Sequence, residues 1–195
     1  MDTSLIIDAS RCWVETVVIR HGLCPFASRV LNNNGLRFTV SEAATSEALV
    51  EDLVEELLRL NHHSRDELET TLLIHPYVLT DFQAYNDFLD VVDAIIDEAG
   101  LHGVFQVASF HPDYQFSDSD EDDAANYSNR SPFPMLHLLR EASIDEAVRD
   151  WTAKGRNMED IPLVNVETLR RMGKPLLEKQ LLACKAPVIE KDKNP

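Results

Sequence analysis

The chain has 195 residues, of which 44% are hydrophobic and 27% are charged, as in an ordinary globular protein. Its formal net charge of −16 argues against a nucleic-acid-binding or anionic-membrane-binding surface, because both need clustered cations. Three cysteines are too few for a disulfide framework, and no apolar run reaches the roughly 20 residues of a membrane span. Because the N-terminus also lacks a basic leader, we expect a reduced cytoplasmic protein.

The first half of the chain alternates helix-like and strand-like segments. Apolar residues recur at helical spacing over 4–21 and 46–60, and a capping box opens a third helix at Thr80. The strand-like runs are "LRFTV" at 36–40, "TTLLI" at 70–74 and "GVFQVASF" at 103–110. This order predicts an α/β fold with a small, mainly parallel three-stranded sheet, a β-α-β-α-β core, flanked by helices.

The second half is predicted to be helical after an aperiodic stretch. The acidic run Asp118–Asp123 is typical of a solvated loop or mobile lid, and it lacks the alternating ligands of a calcium loop. Ser131 and Pro132 have the pattern of a helix start, "SIDE" at 143–146 is a second capping box, and 165–175 is a further helix. We therefore expect a single α/β domain over 1–175 and a partly disordered C-terminal extension over 176–195.

Two strand-like runs each end at a His-Pro pair, and this repetition locates a candidate site. Ligands bind outside the carboxyl ends of parallel strands, where His75, His111 and Asp113 stand, with Glu42 after the preceding strand. Asp113 is placed to hold the His111 ring in one tautomer, which would make His111 a general base. The alternative for each histidine is a strand-end side chain satisfied by a backbone carbonyl.

The same histidines could instead hold a metal ion. His75, His111 and His137 are the candidate ligands, and histidine with carboxylate ligands would suit zinc, iron or manganese. We expect His137 to project from the second turn of the helix that begins at Pro132, where packing is the more common role.

A candidate anion site lies at Asn129, Arg130 and Ser131. These residues precede the predicted helix start, where free N–H groups favour an anion and a guanidinium can contact a carboxylate or phosphate bidentately. The structural alternative is that Arg130 pairs with one of many acids and Ser131 is only a cap.

Cys24 is a candidate nucleophile because His21 and Arg29 lie near it in sequence. A lone cysteine is more often a small buried hydrophobe, and its position after a helix end would raise the thiol pKa.

Three stretches of the sequence carry a family resemblance. "LCPFA" at 23–27, "FHPDYQF" at 110–116 and "NYSNRSPFPMLHLLRE" at 126–141 resemble the signatures of a bacterial family catalogued as Domain of Unknown Function 1415. The resemblance covers roughly residues 5–172 and implies kinship without assigning an activity. The acidic run and the C-terminal tail depart from the family pattern.

Three functional hypotheses follow from the sequence. The first is a small enzyme that acts on an anionic small molecule through the His111–Asp113 pair, with or without a divalent metal. The second is a non-catalytic module that binds an anion or metabolite through Arg130. The third is thiol chemistry at Cys24.

Overall fold

The computed structural model describes residues 1–153, 155, 157 and 160–192. The chain begins with helix α1 (Thr3–Trp13), a π-helical segment (Val14–Ile19) and the short helix α2 (Ala27–Asn32). Strand β1 (Leu36–Val40), helix α3 (Ser46–His62), strand β2 (Thr70–Ile74), helix α4 (Phe82–Glu98) and strand β3 (Phe105–Phe110) follow. A 3-10 turn (Ala124–Ser128), strand β4 (Met135–Arg140) and helices α5 (Glu141–Ala153), α6 (Asp160–Met172) and α7 (Lys174–Asp192) complete the described chain.

The sheet is mixed and has four strands, in the order β1-β2-β4-β3. β1 and β2 pair in parallel, whereas β4 pairs antiparallel with both β2 and β3. The α/β class is confirmed, but the parallel three-stranded sheet is wrong because β4 lies between β2 and β3. The first three strands nevertheless run in one direction, so their carboxyl ends share an edge.

The helix predicted from Pro132 is the main error in the secondary structure. Residues 135–140 form β4, and α5 begins directly after it at Glu141. β4 is covered on both faces, so its apolar residues run continuously instead of alternating with polar ones. A short continuous apolar run cannot be assigned to strand or helix by periodicity alone, and the Ser-Pro pair before it resembled a cap.

Two apolar layers cover the two faces of the sheet. One face packs against α1, the π-helical segment and α7, and its buried residues include Trp13, Phe38, Leu72, Ile74, Met135, Leu177 and Cys184. The other face packs against α3 and α4, and its buried residues include Leu53, Leu57, Leu73, Tyr85, Val92, Phe105, Leu136 and Leu138. Met135 and Leu136 are adjacent in β4 and their side chains point to opposite faces of the sheet, so β4 contributes to both layers.

The C-terminal residues contribute to the first layer. Residues 176–192 of the predicted extension belong to α7, whose Leu177, Cys184 and Val188 are buried with the core of α1. Among the described helices, none combines the length and apolar character needed to cross a bilayer.

Candidate functional site

His75 and His111 lie at the same edge of the sheet, directly after β2 and β3. The ring of Tyr85, from α4, contacts both: its centroid lies 5.7 Å from that of His75 and 5.1 Å from that of His111. We call these three residues the Tyr85 cluster. The structure thus brings together the two histidines that the His-Pro pattern pointed to.

His75 is fully buried and held by one backbone contact. Its Nδ1 lies 3.0 Å from the carbonyl oxygen of Val78, so Nδ1 carries the proton and donates. Its Nε2 is buried and has no hydrogen-bond partner among the described residues. Burial lowers the pKa of His75 to about 4, so the ring is neutral at physiological pH.

His111 is held in a single tautomer by the backbone. The amide N–H of Asp113 donates to Nδ1 at 3.0 Å, and Nε2 lies 3.3 Å from the carbonyl oxygen of Leu79, to which it donates. Burial is the main cause that lowers the pKa of His111. The backbone amide of Asp113 therefore orients this ring, while the Asp113 side chain, to which the sequence analysis gave this role, is exposed.

Tyr85 is the member of the cluster that the sequence did not single out. Its hydroxyl donates to the carbonyl oxygen of Met135 at 2.7 Å and accepts the amide N–H of Phe110 at 3.0 Å. Desolvation raises the pKa of Tyr85, which keeps the phenol neutral. The sequence signal that could have identified Tyr85 is its place on the buried face of a predicted helix. A buried phenol needs a hydrogen-bond partner, so such a tyrosine is expected to contact polar groups.

The predicted metal ligands do not share a site. His137 lies opposite Leu72 in the register, on the sheet face that packs against α1, whereas the Tyr85 cluster contacts α4. Across the described part of the chain, no three His, Cys, Asp or Glu side chains are grouped as metal ligands would be. Glu42 is exposed. The structure therefore does not bring His137 together with His75 and His111.

Arg130 supports the loop before it. Its Nε donates to the carbonyl oxygen of Tyr114 at 3.0 Å, and one Nη donates to that of Glu121 at 2.9 Å. The guanidinium also lies 4.9 Å from the centroid of the Tyr127 ring. Since no helix starts after it, the reason for expecting an anion at Arg130 is absent.

Asn129 and Ser131 lie beside His111 through backbone pairing. The amide of His111 donates to the carbonyl of Asn129 at 3.2 Å, and the amide of Ser131 donates to the carbonyl of His111 at 3.3 Å. The Ser131 hydroxyl donates to the carbonyl of Phe133 at 2.6 Å. These contacts order the chain between β3 and β4.

A cavity of about 150 Å³ lies on the other face of the sheet. We call it the sheet cavity. The sheet forms its floor and α1, the π-helical segment, α2 and α5 form its walls. Its lining is mainly apolar and includes Trp13, Val18, Phe26, Leu36, Leu72, Phe110, Leu139, Ile144 and Ala147.

A few polar groups interrupt the apolar lining of the sheet cavity. His137 Nε2 lies 2.9 Å from Thr70 Oγ1, and burial lowers the pKa of His137 to about 4. The Thr70 hydroxyl donates to the carbonyl of Leu138, so the His137 ring is the donor to Thr70. The indole N–H of Trp13 and the hydroxyl of Ser143 are buried and have no partner among the described residues.

Cys24 also lines the sheet cavity. Burial raises the pKa of its thiol, against the smaller opposing effect of the Phe26 and Ala27 amides. The ring of His21 is elsewhere, with its Nε2 2.9 Å from Gln180 Oε1. The imidazole that would activate this thiol is therefore engaged with α7.

Arg29 stands where the sheet cavity meets a second, polar cavity of about 280 Å³. Its side chain is exposed and has no hydrogen-bond or ion-pair partner in the described residues. Arg65, by contrast, also lines the polar cavity and is paired with Glu69 and Glu146. Within the described chain, Arg29 thus makes no close ion pair, although Glu146 is near: the pKa of that carboxyl is lowered mainly by Arg65 and also by Arg29.

Residues 5–179 match the model of the family described as Protein of unknown function (DUF1415). The chain belongs to this family. The resemblance stated from the sequence motifs is therefore confirmed. No curated protein and no solved structure matches the chain.

The DUF1415 match includes the Tyr85 cluster and the whole lining of the sheet cavity. It ends inside α7, so Cys184 lies beyond it. The family carries no activity to transfer, and the catalytic, substrate and metal roles assigned to individual residues stay predictions.

Proposed function

We propose that the chain is a non-catalytic binding module for a small anionic molecule with an apolar body. The sheet cavity is the observation that carries this proposal, because it is a mainly apolar chamber with the exposed guanidinium of Arg29 beside it. The anionic ligand expected from the sequence is kept, but its site moves from Arg130 to the sheet cavity and Arg29.

The volume of the cavity limits the ligand body to about one ring. An apolar cavity of about 150 Å³ is known to accommodate benzene, and the sheet cavity has the same volume. Small-molecule sites are typically apolar with a few convergent polar groups. The unpartnered Trp13 N–H and Ser143 hydroxyl supply such groups and would favour a hydrogen-bond acceptor on the ligand.

The anionic end of the ligand is assigned to Arg29. A guanidinium can hold a carboxylate with two parallel hydrogen bonds, and that of Arg29 is exposed and makes no close ion pair with the described residues, although Glu146 lies near enough for its pKa to be affected. In a chain with a net charge of −16, an anion depends on such a local cation. An aromatic or alicyclic carboxylate fits both requirements.

Catalysis has less support than binding because the candidate groups are neutral and enclosed. A general base works best with a pKa near the working pH, whereas His137 and His75 have pKa values of about 4. Burial raises the pKa of Cys24, which opposes a thiolate. The enzyme hypothesis on His111 and Asp113 has one feature in its favour, the unpartnered Nε2 of the neighbouring His75.

The proposal is tested by calorimetric titration of the protein with benzoate and with neutral benzyl alcohol. Both should bind, since both fit the chamber, and benzoate should bind more tightly. Ala147→Leu fills the chamber from α5 and should abolish both interactions. Ala153→Leu is the matched control, because Ala153 is exposed on the same helix.

Arg29→Gln separates the two parts of the proposal. It should weaken benzoate at least about fivefold, equivalent to about 1 kcal/mol, and leave benzyl alcohol unchanged. Arg20→Gln changes the net charge equally from an exposed position outside the cavity lining and should affect neither. If ring-sized molecules do not bind, or bind Ala147→Leu equally well, the sheet cavity is not a ligand site.

A further inference from the structure

We infer that Cys12 and Cys184 are a site of reversible oxidation, at which a disulfide joins α1 to α7. The two sulfur atoms lie 2.6 Å apart, although 172 positions separate the residues in sequence. Both are free thiols in the structure. A disulfide can form only between sulfur atoms that lie close together, and here the fold brings together two cysteines that are far apart in sequence.

Apolar packing around Cys12 and Cys184 holds α1 against α7. Cys184 is buried together with Leu177 and Val188 of α7 in the layer that also contains Ile6 and Ala9 of α1. Thr16 adds a polar contact, with its Oγ1 3.5 Å from Cys184 Sγ and its hydroxyl donating to the carbonyl of Cys12 at 2.7 Å. The helices are thus already packed in the arrangement that a cross-link needs.

The two thiols differ in their access to solvent, which assigns their roles. Cys184 is 3% exposed, and burial together with the Cys12 contact raises its pKa to about 12. Cys12 is only part-buried and is the one that a dissolved oxidant meets first. Cys12 is therefore the attacking thiol and Cys184 the resolving thiol.

A hydroperoxide is the oxidant class for which the reaction balances. The Cys12 thiolate attacks one oxygen of hydrogen peroxide and the O–O bond breaks; the leaving hydroxide takes up the proton that Cys12 released, so a sulfenic acid and one water form. The Cys184 sulfur then attacks the Cys12 sulfur, the S–O bond breaks, and a second water leaves with the Cys184 proton. In total, two thiols and one hydrogen peroxide give one disulfide and two waters.

Cys24 does not take part, because it lies in the sheet cavity with its own amide contacts. It therefore serves as an internal reference. Oxidation should consume two of the three thiols in the chain and leave the third open to alkylation after unfolding.

The test oxidises the full-length protein with a modest excess of hydrogen peroxide and maps its peptides without reduction. We expect a loss of two hydrogen masses and a linked peptide pair that contains Cys12 and Cys184. Because the cross-link closes a loop of nearly the whole chain, the midpoint of thermal unfolding should rise by at least about 5 °C and return after reduction.

Two variants frame the interpretation. Cys24→Ser should form the cross-link as the parent does, whereas Cys184→Ser should stop at an oxidised Cys12 without the rise in midpoint. The mapping of the parent protein needs no variant, so a folding failure of Cys184→Ser leaves the test intact. The inference is overturned if Cys12 and Cys184 are both still alkylated after oxidation, or if Cys24 is found in the linked pair.

Discussion

At the scale of single residues, Tyr85 connects the polar groups at the edge of the sheet. Its hydroxyl joins the carbonyl of Met135 on β4 to the amide of Phe110 on β3, and its ring lies against two buried imidazoles. A core tyrosine of this kind is both an apolar filler and a bridge between strands.

Tyr85→Phe should lower the free energy of unfolding by about 1 to 3 kcal/mol, because it leaves a buried amide and a buried carbonyl without their partner. Chemical denaturation of the purified protein measures this loss. Tyr77→Phe is the control: Tyr77 is 40% exposed, its hydroxyl donates to the carbonyl of Met1 at 3.3 Å, and the change should be within about 0.5 kcal/mol. Equal losses in the two variants would contradict the role given to Tyr85.

Individual residues also show the limit of what the sequence could predict. The location of His75 and His111 followed from two strand ends, because strands that run together end together. That Asp113 uses its amide, and that His21 turns to Gln180, depends on side-chain geometry that spacing along the chain does not contain. The proximity of Cys12 and Cys184 is likewise a product of the fold alone.

At the scale of elements, the loop between β3 and β4 is held by side chains at both ends of its acidic run. Arg130 donates to the carbonyls of Tyr114 and Glu121. Asp123 pairs with Arg170 of α6, which lowers the pKa of the carboxyl to about 2, and Asp122 pairs with Lys174 of α7. Most of the run is exposed, as expected of a solvated loop, and its last two carboxylates anchor it to α6 and α7.

Arg130→Lys should increase amide hydrogen exchange over residues 114–123 several-fold. Lysine keeps the charge but cannot span two carbonyls and stack on Tyr127 at once. Arg171→Lys is the control, since the side chain of Arg171 makes an exposed 3.5 Å hydrogen bond to Thr168 and spans no two carbonyls of the described residues. Should the lysine variant exchange like the parent, Arg130 does not hold the loop.

The elements divide into those that local pattern could predict and those, such as β4 and most of α7, that it did not predict. β2 was predicted with its observed bounds, and the helix at 46–60 was found as α3 with two further residues. α4 also formed, although its cap is Asp81, whose side chain accepts from the Ala84 amide, and not Thr80. β4 was not predicted because its position in the middle of the sheet depends on pairing with strands that are distant in sequence.

At the scale of the whole molecule, buried neutral histidines make the fold sensitive to acid. His75 lies at the sheet edge and His137 on the opposite face from α4, and burial lowers the pKa of each to about 4. The pKa of His111 is also lowered. In the unfolded chain these imidazoles titrate near about 6.5.

Stability should therefore fall as the pH drops from 7 to 5. The unfolded chain binds protons in this window that the folded chain does not, so the unfolding free energy decreases by roughly 2 to 4 kcal/mol from His75 and His137 together. Denaturant unfolding at a series of pH values measures the slope.

The histidine variants identify the source of that slope. His75→Gln should reduce it by about 1 kcal/mol per pH unit, whereas His62→Gln, at an exposed position on α3, should leave it unchanged. A slope that survives the loss of His75 undiminished would assign the acid sensitivity to other groups.

The insertion of β4 between β2 and β3 has a consequence for biosynthesis. Among the described strands, β3 pairs with β4 alone, so it leaves the ribosome with no strand beside it, and β2 emerges with one side open. Both edges are completed only when residues 135–140 arrive, which makes a shortened product that ends before β4 prone to pair with other nascent chains. The interval between synthesis of β3 and synthesis of β4 is therefore the stage at which we expect the nascent chain to be most prone to aggregation.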